Sequence, residues 1–130
     1  NVQEYKTPLV QSGEISTQWH LVTTVAALGD KAVKFVTDSV IGYVIRNDGD
    51  DTEAPKGSII AMSAACTHMG CIVKWQESDN RFHCPCHGGV FTEYGKPDPS
   101  SRMRYLVALP RLKTKVENGN IYVEVPVSNV

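Results

Sequence analysis

No stretch of this chain is apolar for long enough to cross a membrane as a helix, which takes roughly 18 residues. The most apolar run, residues 58–66, is broken by small or polar side chains. An excess of one charge is missing too. Thirteen Lys and Arg against 14 Asp and Glu leave a net charge of −1, so nothing favours a nucleic-acid partner or an electrostatic hold on a membrane. Helical signal is scarce, with residues 25–30 able to form one turn at most. There is no internal repeat and no low-complexity segment. An initiator methionine is absent as well: the chain opens on Asn1, and its first residues look like neither a signal peptide nor a charged tail. The expectation is a processed or truncated product, whose anchor or targeting segment, if any, lies upstream of Asn1.

What is present is β-forming. The 130 residues are 42% hydrophobic and 21% charged, ordinary values for a globular protein, and they suit one domain over 1–130 that can bury a real core. After a polar, partly extended lead-in over 1–16, short β-rich runs alternate with Gly, Asn, Asp and Pro. That pattern predicts an antiparallel all-β fold. Strands are expected at 19–23, 32–37, 40–46, 58–63, 71–75, 81–84, 105–109, 112–117 and 121–125. Asn118-Gly119 between the last two is a hairpin signal, because a type I′ turn needs positive φ at both centres. Residues 47–57 form a polar loop, and its acidic members Asp48, Asp50, Asp51 and Glu53 read as a solvated surface. Trp19 and Trp75 read as core or rim packing, and His20 and His83 as ordinary strand residues.

The unusual chemistry is confined to one window. All four cysteines and three of the four histidines fall between Cys66 and His87. They lie in two compact boxes, Cys66-Thr67-His68-Met69-Gly70-Cys71 and Cys84-Pro85-Cys86-His87-Gly88-Gly89. Cys66 with His68, and Cys84 with His87, offer two thiolates and two imidazoles, a four-ligand metal set carried on two loops. Cys71 and Cys86 are left over, one per loop. A bond between them would tie the loops together and use every cysteine, and it would imply an oxidising compartment. A Cys₂His₂ zinc site and a pair of disulfides without metal remain open on the residues alone. Zinc, however, leaves the second cysteine pair unexplained, and two disulfides leave His68 and His87 without a role.

The C-T-H-x-G-C and C-P-C-H-G-G boxes resemble those of Rieske proteins from quinol–cytochrome c and quinol–plastocyanin oxidoreductase complexes. The resemblance runs from about His20, through Ala61-Met62-Ser63, to the Asn118-Gly119 hairpin. It implies an antiparallel Rieske-like sandwich with a small cluster-binding subdomain of two hairpin-like loops at about 64–100. It implies one [2Fe–2S] cluster, with Cys66 and Cys84 on the inner iron and His68 and His87 on the outer. Cys71 and Cys86 match the family's disulfide, and Met69 sits where an apolar residue shields the cluster. His87, with His68, would meet a quinol bound in a cytochrome b-type subunit, and a c-type cytochrome would take the electron. The place implied is the oxidising outer face of an energy-transducing membrane, periplasmic or extracytoplasmic, with the membrane reached only through an anchor outside this chain. A soluble Rieske ferredoxin, an oxygenase module and an arsenite-oxidase-like small subunit are the alternatives. Oxygenase-type ferredoxins usually lack the disulfide cysteines that this chain has.

Three departures from the resembled pattern matter. Where high-potential members carry a Ser and a Tyr that hydrogen-bond the cluster and its first cysteine, this chain has Gly89 and Phe91, neither of which donates from its side chain. Such bonds favour the more negative reduced state. Against a Rieske span of about −150 to +300 mV, their loss implies about +100 to +200 mV, a range suited to menaquinol. The third departure is the family's Gly-Pro-x-Pro loop, replaced here by Gly95-Lys96-Pro97-Asp98-Pro99-Ser100-Ser101-Arg102.

Overall fold

The computed structural model describes residues 16–66, 70–86, 88–101 and 106–127. Ten strands and one helical turn follow in order: β1 (Thr17–Thr24), α1 (Val25–Leu28), β2 (Val33–Val36), β3 (Ile41–Arg46), β4 (Ile59–Ser63), β5 (Lys74–Gln76), β6 (Arg81–His83), β7 (Val90–Phe91), β8 (Arg111–Leu112), β9 (Thr114–Glu117) and β10 (Asn120–Pro126). They form three antiparallel sheets, ordered β1-β10-β9, β2-β3-β4-β8 and β5-β6-β7. The fold is all-β and antiparallel, as the sequence pattern implies.

The middle sheet is apolar on both faces, and this organises everything else. Successive strand residues point to opposite faces. Val44 and Ala61, paired across β3 and β4, therefore face one way, packing with Phe35, Leu28 and the inward row Ile121, Val123 and Val125 of β10. Tyr43 and Ile45, paired with Met62 and Ile60, face the other way, against Val73, Phe82, Phe91, Tyr94 and Leu109. Phe82 and Phe91 are fully buried. Burial of a large apolar side chain stabilises by about 1.5–3 kcal/mol, so these two rings hold the small third sheet down on the middle one.

Local chemistry sets the ends. Thr24 caps α1, its hydroxyl accepting from the Ala27 amide at 3.1 Å. Asn118 and Gly119 take φ of 53° and 76°, the two positive angles that the β9–β10 turn requires.

Several expectations are corrected. No strand forms over 106–109, and residue 105 lies outside the described residues. The Leu109 amide donates to the Gly95 carbonyl, and the Pro110 carbonyl accepts from the Ser63 amide, so these backbone groups are satisfied piecemeal. The strand expected at 112–117 divides at Lys113, because β8 pairs with the middle sheet and β9 with β10. Of 71–75 only Lys74 and Trp75 are in β5, and Ile72 makes a single bridge to Ala65. The short strand β7 was not anticipated. Trp19 sits on the rim, 40% exposed, with the Lys115 ammonium 4.7 Å from its ring centre. Trp75 packs on Phe82.

The acidic loop is not a uniformly solvated surface. Asp51 is 1% exposed, paired with Lys96 at 3.1 Å and Arg111 at 3.2 Å. Buried Asn47 donates to the carbonyls of Asp51, Ala54 and Pro55, and Arg111 also donates to the Tyr94 carbonyl. The Tyr94 hydroxyl donates to Asp48. The loop thus clasps residues 94–96. Burial works to raise the Asp51 pKa, but the Lys96 hydrogen bond, the Glu53 amide and the neighbouring cations hold it below its ordinary value. A carboxylate depressed in this way stabilises the fold above about pH 4 and loses that contribution as pH falls through its folded pKa. Asp51→Asn should therefore lower stability near neutrality by about 1–3 kcal/mol and flatten the acid limb of a urea-unfolding series. Parallel limbs for the two proteins would contradict it.

Candidate metal centre

Two loops at one end of the β5-β6-β7 sheet share one construction. Residues 66–71 are closed by the Ala65–Ile72 bridge, and residues 84–89 by the His83–Val90 pair. In the first, the Cys66 amide donates to the Cys71 carbonyl at 2.6 Å and the Gly70 amide returns to the Cys66 carbonyl at 2.7 Å. In the second, the Cys84 amide donates to the Gly89 carbonyl at 2.7 Å and the Gly88 amide returns to the Cys84 carbonyl at 3.2 Å. Gly70 and Gly88 have φ of 73° and 76°, a left-handed conformation that glycine adopts at no steric cost. The boxes look different as text, yet each opens on a cysteine and turns back on a glycine four residues later.

Burial separates the cysteines. Cys66 and Cys84 keep their thiols and are 3% and 4% exposed, while Cys71 is half-buried and Cys86 exposed. Cys71 and Cys86 are disulfide-bonded across the loops, with Cα atoms 6.5 Å apart. The Cys84 sulfur lies within 4.8 Å of both disulfide sulfurs. Those three sulfurs do not make a metal site, because a disulfide carries no thiolate charge. Closing a segment of this length stabilises by about 3 kcal/mol in the chain-entropy view.

Gly89 and Phe91 are both buried. His68, Met69 and His87 lie outside the described residues. His83, in β6, has its Nε2 2.7 Å from an Asp79 carboxylate oxygen. The residues that follow the second loop are fastened from behind. The Val90 carbonyl accepts from the Asp98 amide, the Val90 amide donates to the Ser101 hydroxyl, and Arg81 donates to Asp98 at 2.8 Å. Hydrogen bonds from Ser100 come first among the causes that hold the Asp98 pKa below its ordinary value, ahead of Arg81.

Residues 8–110 match the Rieske [2Fe–2S] domain family. The chain belongs to that family. Its donor chemistry fits the cofactor: two buried soft thiols stand in two matched loops that are locked to each other. A Rieske domain of this kind holds one [2Fe–2S] cluster.

The chain is 41% identical over 73 residues to the cytochrome b6-f complex iron-sulfur subunit of Chlorobaculum tepidum, covering 53% of this chain and 36% of that protein. It is 39% identical over 70 residues to the menaquinol:cytochrome c reductase iron-sulfur subunit of Geobacillus thermodenitrificans, covering 52% and 40%. Among solved structures, the cyanobacterial plasma-membrane Rieske protein of Synechocystis PCC 6803 superposes with a TM-score of 0.62 at 32% identity, over 80% of this chain and 97% of that one. The chain spans well under half the length of the two curated relatives. No helix among the described residues is long and apolar enough to cross a membrane.

Sequence reasoning missed what braces the centre. The clasp of Asp51, Lys96 and Arg111, and the packing of Leu106 onto the core cluster that holds Cys66 and Cys84, join residues far apart in the chain, and no local pattern marks them.

The disulfide should matter more to the loops than to the sheets. On heating, Cys71→Ser should lose its cluster well before its far-UV circular dichroism changes, consistent with losing about 3 kcal/mol of constraint. Equal cluster lifetimes in mutant and parent would show the bond to be idle.

Proposed function

We propose that this chain is the electron-transfer domain of the iron–sulfur subunit of a bc-type complex, oxidising menaquinol and reducing a c-type cytochrome. The observation that carries the reading is the pair of matched loops locked by Cys71–Cys86, since the resemblance to quinol-oxidising Rieske proteins rests on those same two boxes. That the Geobacillus relative is a menaquinol:cytochrome c reductase subunit supports the choice of quinol. In this reading residues 1–130 are one domain, with the cluster-binding part at about 64–100.

Cys66 and Cys84 are the buried ligands, and His68 and His87 complete the set. When bound, the cluster supplies one-electron chemistry at a potential raised by imidazole ligation. His87 holds the hydrogen bond from the quinol hydroxyl at its outer ring nitrogen and takes up the proton as the electron leaves the quinol. The disulfide ties together the two loops in which Cys66 and Cys84 are buried. A disulfide suits an oxidising compartment, which supports a location on the outer face of an energy-transducing membrane. The partner in this reading is a cytochrome b-type subunit.

Gly89 and Phe91 carry the choice of menaquinol. Neither side chain donates a hydrogen bond, and Phe91 is fully buried, so the reduced state lacks the two side-chain bonds that raise potential in high-potential members. A Cβ on Gly89 would meet Leu106 at 3.4 Å and the Cys84 Cβ at 3.5 Å, ordinary contacts, so a serine fits there. The purified chain should hold about two iron and two acid-labile sulfide, with a midpoint near +100 to +200 mV. Gly89→Ser with Phe91→Tyr should raise the midpoint by some tens of millivolts. Stoichiometric zinc without sulfide would overturn the cluster assignment, and a parent midpoint near +300 mV would overturn the menaquinol reading.

A further inference from the structure

Leu106 belongs to neither box and lies well beyond the second loop in sequence. Yet the structure brings its side chain down onto that loop. A Cβ built on Gly89 would lie 3.4 and 3.7 Å from the two Leu106 methyls, and 3.5 Å from the Cβ of Cys84 on its other side. Leu106 is half-buried and packs against the core cluster that contains Cys66 and Cys84. The next residue, Val107, is 66% exposed, so the chain passes from covering the loop to open solvent within one residue. The Leu106 methyls thus lie over the backbone of position 89, beside Cys84, at a distance that leaves room for a small side chain there.

We propose that Leu106 is a potential-setting residue, the apolar cover that keeps water away from the Cys84 side of the cluster. The proposal rests on the reading of Cys84 as a ligand. The physical argument concerns charge. Reduction adds one negative charge to a centre whose thiolates already carry two. Water and hydrogen-bond donors stabilise that added charge, and an apolar wall does not. Where a donor side chain at position 89 would favour the reduced state, this chain offers two methyl groups. Leu106 therefore acts in the same direction as the missing hydroxyls, and it also limits entry of chelators and solvent at this loop.

The test compares the cluster-loaded parent with Leu106→Ala and Leu106→Met. Three measurements are made: the midpoint by protein-film voltammetry, the rate at which a chelator bleaches the cluster absorption, and far-UV circular dichroism as a fold control. Leu106→Ala should raise the midpoint and bleach several-fold faster while the dichroism is unchanged. Leu106→Met, of similar volume and equally apolar, should return both quantities to parent values. Should the alanine variant lose its cluster, Leu106→Val carries the test, with a smaller upward shift expected and an unchanged midpoint overturning the proposal. A loaded Leu106→Ala protein with the parent's midpoint and bleaching rate overturns it also, as does a methionine variant that shifts as far as the alanine one. A parent without iron and sulfide overturns the functional reading and this proposal together. An intact parent cluster whose midpoint ignores residue 106 overturns this proposal alone.

Discussion

The middle sheet has to bury both of its faces. Along β3, Tyr43 and Ile45 look one way and Val44 the other, and β4 answers with Met62 and Ile60 against Ala61. One face is closed by β10, whose alternation of Ile121, Val123 and Val125 with outward Tyr122 and Glu124 suits a half-exposed strand. Among the described residues, the other face is closed by the small sheet that carries the cysteine loops, together with Tyr94 and Leu109. The metal centre is thus not an appendage. Phe82 and Phe91, which seal the core, lie two residues before Cys84 and two after Gly89, so the packing that completes the fold also sets where the second loop begins and ends.

From that base, the two loops are built alike and then locked. Paired hydrogen bonds and a left-handed glycine shape each one, and the Cys71–Cys86 bond fixes them to each other. The clasp of the acidic loop on residues 94–96 and the hydrogen bonds to Val90 from Asp98 and Ser101 stiffen the chain leaving the second loop. A centre that changes charge without changing ligands benefits from surroundings that do not reorganise. Among the described residues, covalent and hydrogen-bonded constraints meet at that end of the molecule.

Legibility followed locality. The Asn118-Gly119 turn, the alternation in β10 and the cysteine boxes are each defined within a few neighbouring residues, so the sequence declares them. Asp51 sat in a polar loop and read as solvated, because its partners Lys96 and Arg111 are brought to it only by the fold. The same holds for Leu106, packed against the core cluster beside the second loop. The run 112–117 reads as one strand because nothing in its composition says that Leu112 serves one sheet and Thr114 another. The likeness of the two loops was hidden for a different reason. Their histidines stand at different offsets, and the shared element is a backbone conformation, which shows in sequence only as Gly70 and Gly88.

The most direct test of the central claim, one cluster held by two cysteines and two histidines, is pulsed electron paramagnetic resonance on the reduced protein, with and without ¹⁵N-histidine. Ligation by Cys66, Cys84, His68 and His87 predicts strong couplings to two imidazole nitrogens, both altered by the label. Loss of one of them is expected in a His68 or His87 variant that still holds iron. A reduced cluster with no directly bound nitrogen, or couplings untouched by the label, would contradict it.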